Sequence, residues 1–351
     1  MKKQYYRLYA NCIPVKGYKE SIIVDLQRQN STNKIPNSLF EILDKYPDES
    51  IEDIKAIYNN EYDETIDEYF NFLLRKEFIF LCEKKELECF PKLDLTWKSP
   101  SGIENAIIDI CEYRKEDLNK AIEDLSELQC NALEIRFEKI IGTDILKQIG
   151  LLLKGSRILS VEILLKYTDD ITFENLLEIA DQYPRYQRIS VYNSPNNQIS
   201  ACNRILFNTK DINPVKDCGK ISSMYFCDNI NMFTESQCYN SCLNRKISID
   251  SSGNIKNCPS MPHSYGHISN TSLKEVINNK EFLKYWTISK DQIEVCKDCE
   301  YRYICSDCRA YTKNQGLFSQ PEKCTYNPYI AKWKGDEGFI SVEDCINKKP
   351  S

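Results

Sequence analysis

The residues of this 351-residue chain best suited to chemistry are its cysteines, and they are massed towards one end. Of seventeen, five precede residue 200 and twelve follow it, so the thiols serve a local purpose. The densest run is Cys296-Lys-Asp-Cys299-Glu-Tyr-Arg-Tyr-Ile-Cys305-Ser-Asp-Cys308, two C-x-x-C pairs with five residues between them, followed by Cys324. Two thiolates of one tight turn reach the same metal, as in zinc ribbons and ferredoxins. Cys238, Cys242 and Cys258 stand upstream. Together these thiols exceed what one tetrahedral ion needs and suit two four-ligand sites. A disulfide framework is the competing reading, but it belongs to short secreted chains. The start, Met-Lys-Lys-Gln-Tyr-Tyr-Arg-Leu-Tyr, lacks the apolar run of a signal peptide. A cytoplasmic location is expected, where thiols stay reduced and available to metals.

Other chemistry finds little material. The net charge of −6, with no massed basic blocks, argues against a nucleic-acid surface. No apolar run is long enough to span a bilayer, so no membrane partner is expected. The eleven glycines are never adjacent or one residue apart, which excludes a Rossmann fingerprint, a Walker loop and a Gly-Gly-Glu methionine-binding motif. The two histidines, His263 and His267, follow Cys258 and read as hydrogen-bonded surface groups, with no Ser-His-Asp or Cys-His constellation.

The order Cys242, ten residues, Gly253, four residues, Cys258, then Cys296-x2-Cys299-x5-Cys305-x2-Cys308 and Cys324 resembles the SPASM domain. That is the C-terminal domain of many radical S-adenosylmethionine enzymes that modify ribosomally made peptides. The words Ile255-Lys-Asn-Cys258-Pro and Cys299-Glu-Tyr-Arg-Tyr-Ile-Cys305-Ser-Asp-Cys308-Arg-Ala are similar to the SPASM-domain peptide maturases of grasp-with-spasm systems. Those are paired with an ATP-grasp ligase and a short precursor peptide. The detailed resemblance runs over residues 216–335. It implies two auxiliary 4Fe–4S clusters. One would be held by Cys242, Cys258, Cys308 and Cys238, with Cys218 the alternative to Cys238; the other by Cys296, Cys299, Cys305 and Cys324. Zinc competes for both sites, because four thiolates are a common structural zinc shell. One departure bears on Cys308: the family's last pair encloses three residues, and here two separate Cys305 from Cys308.

The radical family also carries a C-x3-C-x2-C loop after its first barrel strand. Here the corresponding stretch, Asp109-Ile-Cys111-Glu-Tyr-Arg-Lys, holds one cysteine, and Cys238-x3-Cys242 is followed at the third position by Arg245. Binding and cleavage of S-adenosylmethionine are therefore not expected, and whether the chain is an enzyme stays open. The resemblance implies a maturation factor for a ribosomally synthesised peptide. The alternatives are a zinc-stabilised peptide-binding adaptor and a redox enzyme using only its auxiliary clusters.

The elements that must position these groups read as α/β in three parts. Residues 5–13 and 18–26 are β-rich around Lys16-Gly17. Three helices follow on the apolar faces Leu39, Phe40, Ile42, Leu43, Tyr46; Ile51, Ile54, Tyr58 behind a Ser50 cap; and Ile66, Tyr69, Phe70, Leu73, Leu74. Phe78–Leu81 returns as a strand. Residues 1–88 thus form a winged-helix-like α+β module, whose own core would include Ile22 and Val24. It resembles precursor-recognition elements that add a leader peptide to a sheet edge. After a linker between Pro91 and Pro100, strands at 103–110, 132–137, 158–164, 188–192 and 204–207 alternate with helices at 115–128, 143–154 and 172–182. That alternation implies a parallel sheet. It is similar to the partial (β/α) barrel of the radical S-adenosylmethionine core, over residues 89–215, with the cysteine-rich SPASM domain over 216–351. Glu134 and Arg136 alternate on one strand as an expected internal ion pair. Cys12, Cys82, Cys89, Cys111 and Cys130 read as ordinary core residues.

Overall fold

The computed structural model describes residues 3–28 and 32–347. The first β-rich stretch is two strands, β1 (Tyr5–Leu8) and β2 (Cys12–Val15), split by a turn in which Cys12 N–H donates to Tyr9 O at 2.8 Å. The turn sends the chain from one sheet to another. Antiparallel β2, β3 (Ser21–Asp25) and β4 (Asn33–Ile35) make a three-stranded sheet, while β1 pairs with β5 (Ile79–Cys82). Helices α1 (Asn37–Lys45), α2 (Ile51–Ile57) and α3 (Asp63–Arg75) occupy the expected places. Ser50 caps α2 by accepting the Asp53 N–H at 3.1 Å, which satisfies an otherwise orphan donor. Leu39, Ile42, Leu43, Ile54, Ile66, Phe70 and Leu73 are buried together against Tyr6 and Ile23.

The central layer is an eight-stranded sheet. Strands β6 (Asn105–Ile110), β7 (Ala132–Phe137), β8 (Ser160–Lys166) and β9 (Tyr186–Tyr192) run parallel, joined by α4 (Lys115–Glu127), α5 (Thr143–Lys154) and α6 (Phe173–Gln182). The order is β10-β11-β9-β8-β7-β6-β12-β13, where β10 is Gln198–Ile199 and β11 is Ile205–Phe207. Because side chains alternate across a strand, Leu133, Ile135, Val161, Ile163, Ile189 and Val191 face the helices and are buried. The opposite face is more polar, with Glu134, Glu162 and Arg188 side by side in register next to Ile107.

This sheet does not stop at the expected boundary of residue 215. After α7 (Ile230–Cys238) come β12 (Lys246–Ile249), which adds in parallel to β6, and its antiparallel partner β13 (Ile255–Lys256). Without β12 the β6 edge would present unpaired N–H and C=O groups. The cysteine-rich part is thereby built onto the barrel sheet. The expected Glu134–Arg136 pair is not formed. Arg136 instead grips Asp109 at two points, Nε to Oδ1 at 2.6 Å and Nη2 to Oδ2 at 2.8 Å. Residues two apart on a strand stand nearly 7 Å apart, whereas Asp109 lies directly beside Arg136 on the neighbouring strand.

The N-terminal module is not a free-standing unit either. All five residues of β3 are buried, so the strand is covered on both faces. Ile23 faces the module's own core. Ile22 and Val24, expected in that core, instead join Val15 and Leu26 against Phe233 and Ile304 of the cysteine-rich part, with Tyr301 and Tyr303 alongside. The β2–β3 turn is pinned to the same region, since Tyr18 N–H donates to Asp298 O at 2.8 Å and Arg302 donates to Lys16 O. The linker contributes as well: Leu93 and Leu95 pack on this cluster, and Trp97 lies against Tyr239 and Arg245.

Candidate metal centres

The Cys299–Cys305 interval explains its own length once folded. Tyr303 and Ile304 turn outward to the β2–β3 sheet, Cys299 and Cys305 turn inward, and Tyr301 borders both sides. A 3₁₀ turn over Cys296–Asp298 brings Cys299 N–H to Cys296 O at 3.0 Å. Val295, just before it, has φ 66°, a left-handed conformation that a β-branched residue adopts only at a cost of about 1–3 kcal/mol. Cys296, Cys299, Cys305 and Cys324 all line one cavity, about 400 Å³ of space free of atoms with its mouth included. Ile221, Phe226, Lys290, Tyr301, Gln320 and Trp333 complete its wall.

A second set of thiols lies where the sheet meets the cysteine-rich part. Cys242, Cys258, Cys308 and Cys218 are close enough for their charges to interact. Cys218 reaches this set through Gly219, which has φ +75° and passes so close to Cys308 that a Cβ there would stand 2.8 Å from its sulfur. Cys238 is exposed at the end of α7. Of the two residues weighed for the fourth position, the fold therefore brings Cys218, and not Cys238, to Cys242, Cys258 and Cys308. Gly253, with φ +85°, packs flat on His267, so no side chain fits there. Both ring nitrogens of His267 are engaged, by Ser269 Oγ at 2.8 Å and Ser252 O at 2.9 Å, and His263 rests edge-on against Tyr265.

Burial pushes the Cys242 thiol up to about 12 and raises those of Cys258, Cys296, Cys299, Cys308 and Cys324. Thiols in such surroundings become thiolates when a metal ligates them. Both donor sets are all-sulfur, mostly buried and accompanied by a lysine: Lys290 in the first cavity, and Lys246, whose Nζ is 3.9 Å from Cys242 Sγ, in the second. Soft thiolates around a shielded space fit an iron–sulfur cluster or zinc. Among the described residues no three Cys, His, Asp or Glu side chains close on one point as a single ion's shell.

Several residues here carried no signal in the sequence. Asn240, 1 % exposed, ties the two sets together. Its Oδ1 accepts from Cys242 N–H at 3.1 Å and Leu243 N–H at 2.9 Å, while its Nδ2 donates to Ile288 O at 3.0 Å and Asp307 Oδ2 at 2.7 Å. Asp307 is held in turn by Arg309 at 2.6 Å, both buried. Lys290 and Gly219 likewise stood in no recognisable pattern. Elsewhere, Cys12 and Cys130 are core residues as expected, whereas Cys89 is exposed and Cys82 and Cys111 are half-buried. Cys111 lies at the C-terminal edge of β6 in an open cleft with Asp250 and His267.

Residues 238–300 match the SPASM family, an iron–sulfur cluster-binding domain. No curated protein matches the chain. Among solved structures it is similar to SuiB of Streptococcus suis, with TM-score 0.29 and 10% identity over 87% of this chain and 96% of that one. The same protein bound to S-adenosylmethionine aligns with TM-score 0.28 and 11% identity over the same shares. Among the described residues no helix is long and apolar enough to cross a membrane.

Proposed function

We propose that this chain is a cytoplasmic maturation factor for a ribosomally synthesised peptide, acting with an ATP-grasp ligase and carrying two 4Fe–4S clusters. The observation that carries the reading is the meeting of Cys296, Cys299, Cys305 and Cys324 at one shielded cavity, in a chain whose residues 238–300 match an iron–sulfur family. Those four would hold one cluster, and Cys218, Cys242, Cys258 and Cys308 the other. A bound cluster of this kind supplies one-electron transfer and a rigid cross-link between chain segments. The precursor's leader would add as a strand at an edge of the β2–β4 sheet, where main-chain hydrogen bonds give affinity and side-chain pockets give register. Cys111 alone cannot anchor a cluster with an open iron, so the radical reaction is absent from this reading. Iron, sulfide and zinc analysis of anaerobically purified protein tests the clusters, and zinc in place of iron would turn the reading into a zinc-stabilised adaptor. Mass analysis of the precursor incubated with the ligase, with and without this protein, tests the role. An identical product pattern in both would overturn it.

A further inference from the structure

Lys290 opens a short turn over Lys290–Gln292 and is 4 % exposed. Lysine is almost never fully buried without a partner, because removing an ammonium from water is costly. Nζ of Lys290 donates to Ser306 O at 3.0 Å, in the turn between Cys305 and Cys308. The side chain also lines the cavity of Cys296, Cys299, Cys305 and Cys324. The acids close by have partners of their own. Asp307 accepts from Arg309 Nη2 at 2.8 Å and from Asn240 at 2.7 Å, and Glu300 accepts from Tyr326. The groups that answer the ammonium are the sulfurs of Cys305 and Cys296 foremost, and after them Asp307, whose charge Arg309 already offsets. In the second thiol set Lys246 stands in a comparable place, facing its thiols and Glu134.

We propose that Lys290 is the fixed counter-cation of the centre held by Cys296, Cys299, Cys305 and Cys324 and sets its reduction potential, an inference that rests on the cluster reading above. A cluster on four thiolates is anionic, and one-electron reduction adds a further negative charge. A cation fixed in the cavity wall stabilises the reduced form more than the oxidised one, since potential follows net charge and hydrogen bonding to sulfur. Lys290 is thus a positioning and charge-setting residue, with no role in bond making.

The test is a redox titration of the full-length protein with dithionite, followed by electron paramagnetic resonance, on wild type, Lys290→Met and Lys290→Arg. Methionine keeps the apolar bulk and removes the charge. One of two midpoints should fall in Lys290→Met by at least tenfold in the reduction equilibrium, 59 mV for a one-electron couple, with the other unmoved. Lys290→Arg should stay near wild type. A Lys290→Met protein that folds but loads one centre fewer, while Lys290→Arg loads both, also upholds the charge requirement. Equal midpoints in wild type and Lys290→Met overturn the inference. Wild-type protein without iron and sulfide overturns instead the cluster reading on which it rests, a failure that metal analysis identifies before any titration.

Discussion

Phe233 is the residue whose loss best tests how the N-terminal sheet and the cysteine loop are joined. It projects from α7, is 1 % exposed, meets Tyr303 at 5.6 Å between ring centres, and packs with Val15, Ile22, Val24 and Ile304. Replacing a fully buried phenylalanine by alanine costs about 3–5 kcal/mol through lost transfer energy and the cavity left behind. In a chain of several units with metal centres, one global unfolding energy is poorly defined, so the loss has to be read locally. The assay is native-state hydrogen exchange on wild type and Phe233→Ala. Amides of β3 and of residues 299–305 should lose protection together, by about a hundredfold to several thousandfold, the equivalent of that energy. Helix α3 should change far less, because Ile66, Phe70 and Leu73 belong to a separate core. Unchanged protection in β3, with the loss confined to α7, would refute the argument that this interface holds the module to the cysteine site. An isolated fragment ending near residue 88 should for the same reason expose Val15, Ile22 and Val24 and associate or aggregate.

Other outcomes follow from the same geometry. Cys218→Ala should lose one centre's iron while Cys238→Ala keeps full loading, as measured by metal analysis; the reverse would return Cys238 to the ligand set. Arg136→Met should lower the local stability of β6 and β7 by about 3–5 kcal/mol, read by native-state hydrogen exchange, because Asp109 is left buried and uncompensated. Anaerobic incubation with S-adenosylmethionine and reductant should give no deoxyadenosine above a metal-free control, and turnover would show that Cys111 is not the limit it is taken to be.

Much of the fold was legible along the chain because its signals are local. The helix period in Leu118, Ala121, Ile122 and Leu125, and the apolar strands between such helices, were enough to place β6–β9 and α4–α6 within a few residues. The C-x-x-C pairs were legible for the same reason, since the two thiols of one turn share a direction whatever surrounds them. Strand β12 was missed: four residues, Lys246-Ile-Ser-Ile, are too short a run to stand out, and what makes them a strand is the open edge of β6.

Partnership between distant groups emerges only on folding. Cys218 and Cys238 look alike in the sequence, yet one is drawn to Cys308 by the close passage at Gly219 and the other ends a helix in solvent. Alternation on a strand pairs Glu134 with Arg136 by eye, but neighbouring parallel strands stand closer than alternate residues, so Asp109 takes the guanidinium. Strand β3 reads as one apolar run, and nothing local says that its two faces answer to two different cores. Lys290 is the limiting case. A lone lysine in a polar stretch reads as surface, and only the folding of the cysteine turns around it removes its water and sets the sulfurs of Cys305 and Cys296, with Asp307, against its charge.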